Sequence, residues 1–183
     1  MGLTVGQIAS YMGYMRHNQL IDSMITMFKG DARRINHFLK VYAYAKTIAA
    51  QEQLSADLQE IVEVVAITHD IGIRISEDTY GTSNATLQQT EGPPVAQRLL
   101  TSLGYAPELI ERVCHIISLH HTYSAIEGED FQILVEADLL VNLDEKHSEE
   151  TQVRLMQEKI FKTPTGLRYV EALFLHHRPL QPS

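Results

Sequence analysis

His69 and Asp70 stand side by side at the end of the apolar run Ile61-Val62-Glu63-Val64-Val65-Ala66-Ile67-Thr68, and Gly72 follows shortly after. The pattern sets an imidazole and a carboxylate near the end of a buried helix, where the chain turns away. An unpaired buried carboxylate costs several kcal/mol at least, so a buried pair needs a partner that offsets the cost. A divalent metal ion is such a partner.

Three further polar sites sit on or beside apolar helical segments. His37 lies in Ile35-Asn36-His37-Phe38-Leu39-Lys40-Val41, His120-His121 follows Val113, Ile116, Ile117 and Leu119, and Asp138 lies in Ile133-Leu134-Val135-Glu136-Ala137-Asp138-Leu139-Leu140-Val141. Each histidine taken alone has a bland explanation, because a histidine on a helix is ordinarily a hydrogen-bonded core or boundary residue. Asp138 is harder to dismiss, since its neighbours at i−4, i−3, i+1 and i+3 are apolar and a buried charge is rarely left alone. Two imidazoles and two carboxylates converging in a bundle suit zinc, manganese, iron, cobalt or nickel. Helix bundles build such sites from side chains on facing helices.

The order His37, then His69-Asp70, then Asp138 resembles the H…HD…D signature of the HD-domain superfamily of metal-dependent phosphohydrolases. The resemblance runs from about Arg34 to about Asn142, and Arg34, three residues before His37, matches a common member of the motif. It implies an all-α fold, a single-domain helical bundle of the HD type. It also implies that His37, His69, Asp70 and Asp138 hold one metal ion.

Some branches of the superfamily hold two ions with further histidines. Ile117 to His120 has the spacing of the helix that ends in one or two of them, so the resemblance makes His120 and His121 candidate ligands of a second ion. Another extra histidine opens a segment H-P-x-x-G-A-x-x-L-L in those branches. This chain has Glu91-Gly92-Pro93-Pro94-Val95-Ala96-Gln97-Arg98-Leu99-Leu100, with Glu91 in the histidine's place. A glutamate can still ligate, and would favour a harder ion; it could equally contact substrate or cap a helix.

Arg74 could neutralise a phosphate near the metal or be a solvated surface residue. Arg34 could clamp a phosphate bidentately, as guanidinium geometry allows, or pair with an acid on a neighbouring helix. Tyr80, Asn84, Gln88 and Gln89 could line a pocket. His115 faces elsewhere, and His17, His147, His176 and His177 have no supporting context. Met12, Met15, Met24 and Met27 read as core.

These side chains must be carried by helices, because nearly every long segment has helical period and none has a convincing period of two. The expected elements are a short helix from Thr4 to about Tyr14, then a stripe of Leu20, Ile21, Met24, Ile25 and Phe28 ending at Gly30. Asp31 N-caps a long helix to about Gln53, and Ser55 caps another to about Asp70. Residues 71–91 are expected to be irregular, because Ser76, Asp78, Gly81, Ser83 and Asn84 favour turns; a loop that long is usually functional or disordered. Helices follow at about Pro93–Ser102, Pro107–His120, Asp130–Glu145, Ser148–Ile160 and Thr165–Phe174. The 183 residues fit one domain, with a motif core at about 31–145, a helical extension over 146–176 and a frayed tail over 177–183.

Fifteen basic and 23 acidic residues give a net charge of −8, which argues against general nucleic-acid binding. A small anionic substrate stays compatible, because a bound metal inverts the local field. The only cysteine, Cys114, allows no intrachain disulfide and fits a reducing cytoplasm. Neither a signal peptide nor a membrane span is expected from the N-terminal residues or elsewhere. The acidic charge suits a small anionic phosphoester such as a nucleotide as substrate, the single cysteine suits a cytoplasmic setting, and the resemblance implies a phosphohydrolase. Asp70 is its pivotal ligand, Arg34 and Arg74 its charge stabilisers, and a homodimer is plausible. The alternatives are a non-catalytic ligand-binding or regulatory module and, further off, a mixed-valent di-iron oxygenase.

Overall fold

The computed structural model describes residues 4–175, without the side chains of residues 5–12 and 14. His176, His177, the expected tail and the Met12 side chain lie outside the described residues. The described elements are α1 (Val5–Met27), α2 (Ala32–Gln51), α3 (Ala56–Thr68), α4 (Gly72–Tyr80), α5 (Ala85–Ser102), α6 (Pro107–Ile117), α7 (Glu129–Glu145), α8 (Glu150–Ile160) and α9 (Pro164–Val170), with a 3-10 turn over Tyr123–Ala125 and a π-helical turn over Glu171–Leu175. No strand occurs among the described residues, so the all-α expectation holds. No described helix is long and apolar enough to cross a membrane.

The chain forms two compact units. One runs to Leu39 and resumes over Ile67–His121; the other takes Lys40–Ala66 and the described residues from Thr122 onward.

In the first unit the expected break near Tyr14 does not occur, and α1 is continuous through Gly13. Leu20 and Met24 form its inward face, continued by Phe28 in the turn that follows, and all three are almost fully buried. The methionine stripe is only partly core: Met24 is buried, whereas Met15 is 37% exposed and Met27 half-buried. Asp31 caps α2 as expected, its Oδ1 accepting from Arg34 N at 3.1 Å.

The irregular stretch expected over residues 71–91 is instead two helices, α4 and the first turns of α5. The turn-forming residues are present but are used differently. Ser76 Oγ donates to Gly72 O at 2.7 Å within α4, a back-bond that lets serine sit inside a helix. Gly81, at φ 71°, ends α4 in the left-handed region, and Asn84 starts α5 by accepting from Leu87 N. The true loop is the short turn between them. Pro93 and Pro94 lie inside α5 rather than at its start. The chain turns away after Thr68 as expected, and Gly72 opens α4. A Cβ there would lie 2.7 Å from Gly92 N and 2.8 Å from Gln88 O, so α4 begins against the backbone of α5.

In the second unit, Ser55 Oγ accepts from Leu58 N at 3.4 Å at the start of α3. Residues Ile133–Val141 of α7 are buried without a break, as expected of a helix apolar on all sides. Glu136, in the middle of that run, is fully buried and accepts from Lys162 N (2.6 Å), Thr163 N (2.9 Å) and Thr163 Oγ1. It ties the start of α9 to α7.

Candidate metal centre

The first unit brings together side chains from three places where helices begin or end. His37 sits in the early turns of α2. His69 and Asp70 follow directly on α3, in a turn closed by Ile71 N to Thr68 O and Ile73 N to Asp70 O. His120 and His121 follow α6 in a turn that includes Leu119 N to Ile116 O. Helix ends suit such residues because the chain leaves the apolar face there while the side chains still point along it.

Asp70 is the hub. Its Oδ2 lies 3.7 Å from His37 Nε2 and 3.6 Å from His69 Nε2, and its Oδ1 lies 3.8 Å from His120 Nε2. These separations exceed hydrogen-bond length. They approach the ~3.4 Å between two ligands of one tetrahedral ion at ~2.1 Å. Two sets of potential ligand atoms result, His37–His69–Asp70 and Asp70–His120–His121, sharing the aspartate. The side chains of His69 and His120 are sealed, at 1% and 2% exposure, whereas that of Asp70 is 22% exposed.

The donor chemistry fits a metal ion. His120 Nδ1 lies 2.7 Å from Ile117 O, and a carbonyl only accepts, so Nδ1 carries the proton and Nε2 keeps its lone pair. That Nε2 is buried and has no hydrogen-bond partner among the described residues. Buried polar nitrogens are normally satisfied, and a histidine anchored by its other ring nitrogen to a carbonyl is the usual arrangement of a metal ligand. His121 also contributes to the second set, and its Nε2 lies 2.8 Å from Gln88 Oε1.

The other candidates in this unit are engaged elsewhere. Arg34 makes a two-pronged pair with Glu77 of α4 (Nη1 to Oε2 2.9 Å, Nη2 to Oε1 2.6 Å) and a further contact with Asp31 at 2.9 Å. Of its two expected roles, pairing with an acid on another helix is the one present. The hydrogen bond to Glu77 is the main cause that raises the Arg34 pKa, and the negative charge of Asp70 adds to it. Arg74 is exposed and pairs with Asp78 one turn on (Nε to Oδ2 3.1 Å), a surface pair on α4. Glu91 belongs to neither set of ligand atoms and accepts from Tyr80 Oη at 2.9 Å. That bond raises the Tyr80 pKa.

Residues 34–159 match the family model of the HD domain. The chain belongs to the HD domain family. A search of curated proteins gives no match. Among solved structures, the chain is similar to a crystal structure described as a predicted HD superfamily hydrolase from an uncultured Thermotogales bacterium. That similarity has a TM-score of 0.62 and 20% identity, over 85% of this chain and 83% of the other. At that identity the likeness establishes a shared fold.

The second unit of this HD domain holds Asp138, 8% exposed on α7. Its Oδ1 accepts from Asn142 Nδ2 at 2.7 Å, one turn along the same helix. Tyr123 belongs to the same unit; burial chiefly, and the charge of Asp138 next, push its hydroxyl pKa up.

Two acids went unnoticed in the sequence. Glu77 became visible only once α4 was known to be helical, since the turn-forming residues around it conceal the helix. Glu136 shares the apolar window that singled out Asp138, and the same reasoning applies to it. Its donors come from residues 162 and 163, too far along the chain for local pattern to suggest.

Proposed function

We propose that this HD domain is a metal-dependent phosphohydrolase acting on a small anionic phosphoester, such as a nucleotide, in the cytoplasm. The observation that carries the proposal is the Asp70 carboxylate, with one oxygen facing His37 and His69 and the other facing His120. His37, His69 and Asp70 would hold one divalent ion, drawn from manganese, iron, zinc, cobalt or nickel. Asp70, His120 and His121 would hold a second. Asp138 is assigned as a ligand by the H…HD…D pattern alone.

A divalent ion held there supplies Lewis acidity toward a phosphoryl oxygen and lowers the pKa of a bound water to about 7. The protein's own part is to fix the ligands and leave one face open. The sealed imidazoles keep their orientation through burial and, for His120, through the Ile117 carbonyl. Asp70, partly exposed where His69 and His120 are sealed, faces the incoming ester. Arg34 lies within electrostatic reach of Asp70, but its charge is taken up by Glu77 and Asp31. Arg74 is solvent-facing in its pair with Asp78, and its surroundings support the surface role rather than a catalytic one.

Purified protein loaded with each candidate ion and offered a panel of nucleotides and phosphoesters is expected to release phosphate or nucleoside from at least one. Asp70→Ala is expected to abolish the release. Full activity in that variant would remove the assignment. Tight binding without turnover under every ion would instead favour a regulatory module.

A further inference from the structure

We infer that Gln88 is a positioning residue that fixes His121 to ligate an ion through Nδ1, while its neighbour His120 ligates through Nε2. The inference rests on the reading of Asp70, His120 and His121 as holders of a metal ion.

A neutral imidazole has one N–H donor and one lone pair, and the hydrogen bond made by one nitrogen decides which is which. His121 Nε2 lies 2.8 Å from Gln88 Oε1. An amide oxygen only accepts, so Nε2 carries the proton and the lone pair falls to Nδ1. The amide is oriented by its other end, because Gln88 Nε2 donates to Ser83 Oγ at 3.3 Å. In His120 the assignment is reversed: Nδ1 donates to Ile117 O, and Nε2 holds the lone pair. Two consecutive histidines, with ring centroids 3.8 Å apart and planes at 43°, thus present different nitrogens. One is anchored by main chain of the preceding helix, the other by a side chain from α5.

Gln88 is well placed for this work by its backbone as well. Its carbonyl would lie 2.8 Å from a Cβ on Gly72, two residues beyond Asp70. The residue that orients His121 is therefore packed directly against the segment that carries the shared carboxylate. Its main chain references one ligand of the second set and its side chain references another. Outer partners of this kind typically change metal affinity by about 10- to 100-fold when removed.

The test is metal binding itself. Metal-free protein, prepared with a chelator, is titrated calorimetrically with Mn²⁺. The unaltered chain is expected to take up two ions. In Gln88→Ala the weaker ion is expected to lose about 10- to 100-fold in affinity, with the tighter ion unchanged. Gln88→Glu, which keeps an acceptor oxygen, is expected to restore the affinity. Long-range ¹H–¹⁵N spectra of the Zn²⁺-loaded protein are expected to show His121 coordinated at Nδ1 and His120 at Nε2. Coordination of His121 through Nε2 would overturn the inference, as would unchanged or tighter binding in Gln88→Ala. Uptake of a single ion by the unaltered chain would overturn the two-ion reading and the inference with it. Two ions with an indifferent Gln88→Ala would overturn only the role of Gln88.

Discussion

Asp70 Oδ1 lies 3.8 Å from His120 Nε2, and Oδ2 of the same carboxylate is turned toward the other two imidazoles. One side chain thus serves both sets of ligand atoms, and its loss cannot be compensated within either set. Asp70→Ala is expected to empty the whole centre, whereas His120→Ala is expected to weaken one ion only. Scanning calorimetry with and without added Mn²⁺ separates the two outcomes. An ion at 100 times its Kd stabilises the native state by about 2.7 kcal/mol. That increment should vanish in Asp70→Ala and persist in part in His120→Ala.

Gly72 and Gly92 both lack a side chain where neighbours are close, but the neighbours differ. A Cβ at Gly72 meets the backbone of α5, at Gly92 N and Gln88 O, while a Cβ at Gly92 meets Cγ2 of the Ile117 side chain at 2.7 Å. The buried Ile117 methyl gives way only by straining a stiff χ1, but a helix backbone has to move as a body. Gly72→Ala is therefore expected to cost about 1–3 kcal/mol, the range for overpacking, and Gly92→Ala less. Urea unfolding of the two variants measures the difference. Equal costs would mean that α4 and α5 part more easily than their contact suggests.

Glu136 and Asp138, two residues apart on α7, are expected to respond in opposite ways. Glu136→Ala removes the buried acceptor of the part-buried Lys162 and Thr163 amides, and should reduce stability by about 1–3 kcal/mol while leaving ion uptake intact. Asp138→Ala should lower ion uptake, since the family pattern assigns it as a ligand. Chemical denaturation and metal analysis on both variants check the pair.

Stability is expected to decline in alkaline solution. Burial is the main cause that raises the Tyr42 and Tyr123 hydroxyls above the ordinary value of 10.0. The folded-state pKa then exceeds the unfolded one, so this contribution is complete below the unfolded pKa and is lost as pH rises through the folded value. Ultraviolet titration of tyrosinate should find these residues ionising late in the folded chain. Tyr42→Phe should make the alkaline decline shallower.

Much of the helical framework was legible because its signals are local. Asp31 announces α2, and Ser55 with the run that follows announces α3. The HD pair stood out because polar residues end an apolar helix. What escaped was non-local or disguised. Ser76 and Asp78 speak for turns, yet one is satisfied by Gly72 O and the other by Arg74 within a single helix. Pro93 and Pro94 suggested a helix start, because a proline's missing N–H is harmless only in a first turn; α5 carries them in its interior. The partner of Arg34 could not be read without α4, and whether His120 or His121 presents Nδ1 or Nε2 depends on atoms far off in sequence.

The unequal exposure around Asp70 has a kinetic meaning. His69 and His120 close the centre from behind, while Asp70 and His121 are the members that meet solvent. An ion that enters or departs on that side passes Asp70, the ligand common to both sets, so exchange should follow the swing of that carboxylate more than the imidazoles behind it. A chelator should then strip the loaded protein at a rate that saturates with its own concentration, the limit being how often Asp70 lets go.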